Sequence, residues 1–450
     1  MQDPPVLGHV ALGYSPIVDR HRNVIATRLT VFAGRPDGTP DAAALLQALA
    51  PVGPPRDEPL GTITLRSLDP TPVGPRPPAA PSGPRAAAAT PVPAAGTAPS
   101  ALPPISLNVA DEALLRAVLA QEPGSQVMIE VPAFMAADAG LSATLRQLRA
   151  NGTPLLVKGR SSAPLAPEVL ACFGHAIVEP GEQRRMVARP EGGRPGLATL
   201  QAGVHSTAQA DEAFRLGASA VIGWPFGDPL PASGGRSRQA TDVQVVLELI
   251  QGVEREDPVP RLEAVLKRDP TLAFKLMRYI NSAAFGLRVE INSFGHALML
   301  LGYQRLKRWL ALLLANSSRS PNARPIIFAA VRRGLLMEEL ARDRGDSSMR
   351  SSGDDEMRSE MFICGVFSLL DRLMEQPLPE LLRSVPVPDT VQQALAGEGG
   401  PYLPYLQLVQ AIEQESVYDI REGAERLLLS ALEVNRSVLA ALKAALQLDS

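Results

Sequence analysis

Leu262–Gly302, LEAVLKRDPTLAFKLMRYINSAAFGLRVEINSFGHALMLLG, carries two helix starts and two helix stops. Asp269 offers an N-cap oxygen and Pro270 a first-turn residue with no donor to leave unpaired, so a helix begins there. Leu272, Leu276 and Ile280 recur on one face, with Ala273 and Met277 beside them. Asn281-Ser282 and Phe285-Gly286 stop that pattern. Ser293 then caps a second helix that buries Phe294, Ala297, Leu298 and Leu301 before Gly302 ends it. A third apolar stripe follows in Leu306, Trp309, Leu310 and Leu313. Periodicity therefore predicts a helical bundle for this half of the chain.

The same stretch resembles the signature of HDOD domains. Arg268-Asp269-Pro270, Leu276, Asn281-Ser282-Ala283-Ala284-Phe285-Gly286, Ser293, Ala297 and Leu300-Leu301-Gly302 stand in the family's order. The resemblance implies an all-α domain related to HD-type metal phosphohydrolases but generally without their metal ligands, found in bacterial signalling proteins as an interaction or output module. Side-chain inventory agrees with that loss. The only histidine after residue 233 is His296, and an HD-type metal pair needs several His and Asp ligands. His296 lies between Phe294 and Ala297 and reads as a packed or surface residue. Glu360–Met374 corresponds to the HD-bearing helix, with Ser368-Leu369 where His-Asp would stand. Asp269, Pro270, Asn281, Ser282, Phe285, Gly286, Ser293, His296 and Gly302 are thus expected to serve structure or interaction.

Further helices are expected at Pro325–Arg342, Tyr402–Glu415 and Glu422–Leu448, and Leu378–Leu395 resembles the C-terminal part of the EAL-HDOD family. Arg342–Asp355 reads as a polar loop, and the basic pairs Arg184-Arg185 and Arg332-Arg333 as solvated faces.

The 450 residues suffice for about two or three domains. A net charge of -3 gives no polyanion-binding footprint, so nucleic acid and an acidic membrane surface are not expected partners. Cys172 and Cys364 are far apart in apolar surroundings, which predicts buried thiols in a reducing compartment. No basic start followed by an apolar core opens the chain, and no uncharged apolar run of about 18 residues occurs. A cytoplasmic location is expected.

The first half alternates between two periods. Val10–Phe32 reads as two strands around a polar turn, with Val24, Ala26 and Arg28 facing one way and Ile25, Thr27 and Leu29 the other. Asp41–Ala50 is a short helix, and Leu60–Leu65 a further strand. From Pro70 to Pro104 the composition falls to Pro, Ala, Gly, Ser and Thr, which cannot bury a core, so a disordered or extended insertion is expected. Helices capped by Asp111 and Ser206, a helix at Leu141–Ala150, and strands at Val127–Val131, Pro154–Lys158, Ala176–Val178 and Ala220–Gly223 then alternate. That alternation argues for a parallel α/β barrel of TIM type. Residues 1–232 are thus expected to form the barrel domain, 233–240 a linker opened by Ser233-Gly234-Gly235, and 241–450 the HDOD domain.

Ser15-Pro16-Ile17-Val18-Asp19 at the start, and Gly203-Val204-His205-Ser206 through Gly223-Trp224-Pro225-Phe226 at the end, resemble a degraded EAL domain, the barrel of cyclic di-GMP phosphodiesterases. With an HDOD domain downstream, the chain is similar to the EAL-HDOD signalling family. Carried over residue by residue, the metal site is mostly lost. Arg28 stands at the name-giving glutamate, Lys158-Gly159 at the paired aspartates, His205 at a late glutamate and Ile222 before the final glycine, while Asn108 and Glu130 agree with ligand positions. A two-metal hydrolase needs several oxygen ligands converging to neutralise its in-line transition state, so no cofactor and no catalytic residue is expected. Arg28 and Lys158 either pair with Glu130 and fill the vacated site, or grip a phosphate of cyclic di-GMP directly. The resulting reading is an inactive phosphodiesterase homologue that signals by binding an unidentified protein partner through its HDOD domain. A non-hydrolysing cyclic di-GMP receptor is the alternative, and a weakly active phosphodiesterase a more remote one.

Overall fold

Val10–Asp19 (β1) and Val24–Ala33 (β2) pair antiparallel around the turn that the alternation predicts. The Asp19 carboxylate closes that turn by accepting from the backbone N–H groups of His21 and Asn23, an Asx-type bond of the kind that favours Asp at such positions. The computed structural model describes residues 5–34, 41–50, 105–180, 197–229, 241–266, 268, 302–314, 322–342, 352–384 and 387–449, apart from 126, 161–163 and 304–305. The expected strand at Leu60–Leu65, the Pro/Ala insertion, the 233–240 linker, Arg184-Arg185 and the HDOD signature from Asp269 to Leu301 lie outside those residues. Gly302 lies within them and has φ +70°, a left-handed value that glycine adopts readily.

Eight strands close into a barrel in sequence order: β1, β2, Ile105–Val109 (β3), Val127–Pro132 (β4), Leu155–Lys158 (β5), Phe173–Val178 (β6), Ala198–Gln201 (β7) and Ala220–Ile222 (β8). All neighbours are parallel except β1, which runs against both β2 and β8. Helices fill the crossovers. Ala42–Leu49 (α1) is capped by the Asp41 carboxylate, Glu112–Ala120 (α2) by Asp111, and Thr207–Arg215 by Ser206, which accepts from the Gln209 N–H. Gln209 completes that start by accepting from the N–H of His205, one residue before the position a Ser-x-x-Gln capping box would use. β7 is too short to show an alternation, and only the structure reveals it.

Ile17, Ala26, Met128, Leu156, Ile177, Leu200, Ala220 and Ile222 pack together as an apolar layer. Arg28, Glu130 and Lys158 each lie two residues beyond a member of that layer, on the same strand face and toward the strand's C-terminal end. A β/α barrel has a filled interior and carries its chemistry at this end. The pleat therefore lifts one polar tier onto the barrel mouth.

The second half is helical in every described segment. Thr241–Glu254, Val259–Leu266 and residues 306–314 precede Ala323–Arg342 (α3) and Ser352–Phe367 (α4). Leu370–Met374, Leu378–Ser384 and Asp389–Ala396 lead to Leu403–Glu413 (α5), Val417–Arg426 (α6) and Ala431–Asp449 (α7). Three expectations are corrected here. The loop at Arg342–Asp355 gives way to helix from Ser352. The helix at Glu360–Met374 is broken at Ser368-Leu369, where the Ser368 Oγ donates to the Gly365 carbonyl, the local competition that makes serine a poor interior helix residue. The helix at Glu422–Leu448 is two helices, separated where Leu428 takes φ +57°. No described helix is long and apolar enough to cross a membrane.

α3 and α4 cross at glycines. A Cβ on Gly365 would stand 2.6 Å from the Cα of Gly334, and one on Gly334 would stand 2.8 Å from the carbonyl oxygen of Phe362. Gly365→Ala would gain up to ~1 kcal/mol in helix propensity. The clash is with backbone, however, and overpacking of this kind costs about 1–3 kcal/mol. We expect a net loss of stability, read as a lower urea midpoint with unchanged slope.

The two halves share buried polar contacts. The Leu12 N–H donates to Asn435 Oδ1 at 3.0 Å, and Asn435 Nδ2 donates to the Leu7 and Val10 carbonyls at 2.7 and 2.8 Å. Asn435 on α7 thus takes up backbone groups at the outer end of β1 that no strand pairs.

Candidate functional site

Arg28 and Glu130 form a bidentate pair across the barrel mouth. Arg28 Nε donates to Glu130 Oε1 at 2.9 Å and Nη2 to Oε2 at 2.7 Å. Ser106, the β3 partner of Arg28 in register, donates its hydroxyl to Glu130 Oε1 at 3.0 Å. The Glu130 side chain is 0% exposed and that of Arg28 12%. Burial works against the Arg28 charge, but the Glu130 carboxylate outweighs it and holds the guanidinium above its ordinary range.

Lys158 does not pair with Glu130. Its Nζ donates to Asn108 Oδ1 at 2.8 Å, and Asn108 Nδ2 donates to Thr30 Oγ1 at 3.1 Å. Burial lowers the Lys158 pKa, the Glu130 carboxylate opposes that shift and the Arg28 charge adds to it. His205 stands apart: its side chain is exposed, its N–H bonds Gln209 and its carbonyl accepts from Gly227. Of the five residues expected at the vacated site, four therefore converge and His205 does not. The expected pairing with Glu130 holds for Arg28 alone.

A fifth group in this cluster comes from the helical half. Glu415, on the connection between α5 and α6, accepts from the Ser15 hydroxyl at 2.7 Å and the Thr30 hydroxyl at 2.8 Å. Its Oε2 lies 3.7 Å from Arg28 Nη1. Nothing in sequence links it to the barrel mouth, since 400 positions separate it from Ser15.

Two residues earlier lies a second buried pair. Arg333 on α3 donates from Nε and Nη2 to the two Glu413 carboxylate oxygens at 3.0 and 2.6 Å, and from Nη1 to the Ser368 hydroxyl at 2.7 Å. The expectation that Arg332-Arg333 is a solvated face is therefore overturned: both are buried, and the Arg332 guanidinium lies 3.3 Å from the Phe328 ring centroid. Sequence could not reveal this, because buried and surface arginines on a helix share the same spacing. The Glu413 carbonyl accepts from Trp224 Nε1 at 2.8 Å, and Trp224 packs edge-on against Tyr14 at 5.9 Å. Burial first, then the Glu413 charge, pushes the Tyr14 hydroxyl well above its ordinary pKa.

The donors do not fit a divalent metal pair. Glu130 spends both oxygens on Arg28 and Ser106, Asn108 spends its carbonyl on Lys158, and two cations stand among them. Among the described residues, no group of three or more His, Cys, Asp or Glu side chains is placed to hold a metal ion. The remaining guanidinium nitrogen of Arg28, Nη1, faces the Glu415 carboxylate.

Comparison with known proteins places these observations. Residues 240–371 match the model of the HDOD domain, and α5–α7 lie beyond that match. The chain is 30% identical to the uncharacterised protein YuxH of Bacillus subtilis over 238 residues, 52% of this chain and 55% of that protein. It is 27% identical to the cyclic di-GMP phosphodiesterase CdgJ of Vibrio cholerae over 154 residues, 34% of each. The chain thus spans about half of one curated relative and a third of the other. Among solved structures, the PaMucR phosphodiesterase in complex with cyclic di-GMP is similar at 16% identity and a TM-score of 0.30, over 50% of this chain and 93% of that one.

Proposed function

The chain joins an eight-stranded barrel to an HDOD domain, the make-up of the EAL-HDOD family, and from that premise we propose that it is a non-catalytic signal-transduction protein. Its barrel serves as scaffold or sensor in the cytoplasm, and its HDOD domain binds a partner protein. The observation that carries this reading is the bidentate Arg28–Glu130 pair, a carboxylate committed to a cation at positions that the resemblance assigns to oxygen ligands of a phosphodiester hydrolase. Glu415 strengthens it by occupying the mouth from the helical half.

A second reading rests on a different feature of the same geometry. Arg28 and Lys158 present two cations at the mouth, and a guanidinium matches a phosphodiester in the same forked geometry it uses for a carboxylate. In that reading the barrel is a cyclic di-GMP receptor that does not hydrolyse its ligand.

Titration of the full chain with cyclic di-GMP, with and without Mg²⁺, followed by analysis of the same samples for linear product, separates the readings. We expect no linear product in either condition. Binding without product favours the receptor, absence of binding leaves the scaffold, and Mg²⁺-dependent linear product overturns both.

A further inference from the structure

Glu413 ends α5 and Glu415 lies two residues on, in the connection to α6, yet each carboxylate ends in a different site. Glu413 is buried against Arg333 in the helical half, while Glu415 reaches Ser15, Thr30 and Arg28 in the barrel. We propose that residues 413–415 are a latch by which the helical half holds the barrel mouth shut. In this device Glu415 is an internal carboxylate standing where an external phosphate or phosphodiester anion would otherwise meet Arg28. The proposal requires neither hydrolysis nor a particular HDOD partner.

Three features support it. The segment is seated directly on strand backbone: a Cβ on Gly13 would lie 3.0 Å from the Glu415 Cα and 3.0 Å from the Ile412 carbonyl oxygen. Glu415 itself has φ +55°, a left-handed conformation that is unfavourable for a non-glycine residue and persists where surrounding contacts hold it. Charge completes the case. The cations Arg28 and Lys158 already face Glu130, Glu179 and Glu415, so a further anion meets like charge unless Glu415 leaves. Because Glu413 and Glu415 share so short a segment, withdrawing one strains the Arg333 pairing of the other. Opening at the barrel is thereby passed to α3 and to the helix break at Ser368.

Trp224 reports on the latch, since its indole N–H donates to the Glu413 carbonyl. The other tryptophan, Trp309, is buried among the helices and can be removed as a signal by Trp309→Phe. In that full-length background, Glu415→Gly deletes the carboxylate and suits the left-handed backbone. Ser15→Ala with Thr30→Val removes the two hydroxyls that hold Glu415 and serves as an independent second variant. Acrylamide quenching of Trp224 should rise in both. Loss of one charge beside Arg28 should also tighten binding of inorganic diphosphate and of cyclic di-GMP to Glu415→Gly by at least about tenfold. Unchanged Trp224 quenching in both variants overturns the latch. Increased quenching with affinity for both anions unchanged overturns the place assigned to Glu415. Either result stands apart from the hydrolysis assay, which reads only the presence of linear product.

Discussion

Arg333→Ala is expected to destabilise the full chain by about 3–5 kcal/mol, the cost of leaving one member of a buried ion pair without its partner. Arg333 and Glu413 side chains are 8% and 5% exposed, and the guanidinium spends three of its donors on Glu413 and Ser368. Burial disfavours the Arg333 charge, and the Glu413 carboxylate more than offsets this, holding its pKa up. Truncation removes that compensation and leaves Glu413 buried as a bare charge against Tyr14. Replacing both partners by hydrophobic residues, as in Arg333→Met with Glu413→Leu, should recover most of the loss, because the desolvation penalty then disappears from both sides. Urea unfolding of the two variants against wild type reads the effect. A loss below about 1 kcal/mol for Arg333→Ala is the range of a surface ion pair, and would mean that water reaches Glu413.

The Arg333 case also shows where sequence reasoning stops. Local signals were dependable: Asp111 and Ser206 cap the helices they were expected to cap, and the short helix expected at Asp41–Ala50 forms, with the Asp41 carboxylate as its cap. Strand alternation placed Ala26 and Arg28 on one face of β2, and in the barrel Ala26 joins the apolar layer while Arg28 stands above it. Those features depend on a few neighbouring residues. Partnership across the fold does not. Arg333 and Glu413 are 80 residues apart, and Glu415 lies 385 from Thr30. A basic pair on a helix carries no mark of whether an acid from another helix will cover it. The same limit explains His205, whose position in a motif said nothing of the way its loop turns the ring to solvent. It also explains Lys158, which had Glu130 and Asn108 both within the site and took the amide.

Arg28→Ala, the second large effect, is expected to cost about 3–5 kcal/mol near neutral pH, since Glu130 is 0% exposed and would retain the Ser106 hydroxyl as its hydrogen-bond donor. Adding Glu130→Gln should recover most of the loss, because an amide accepts from Ser106 without carrying charge. Denaturant midpoints of the four chains of this cycle would test it. A loss below about 1 kcal/mol for Arg28→Ala, the range of an exposed ion pair, would mean that Glu130 keeps its charge at no cost once Arg28 is gone, compensated by Lys158 or by water entering past Glu415. In that event the Arg28–Glu130 pair would not be what closes the barrel mouth, and the case for a committed carboxylate at this site would fall with it.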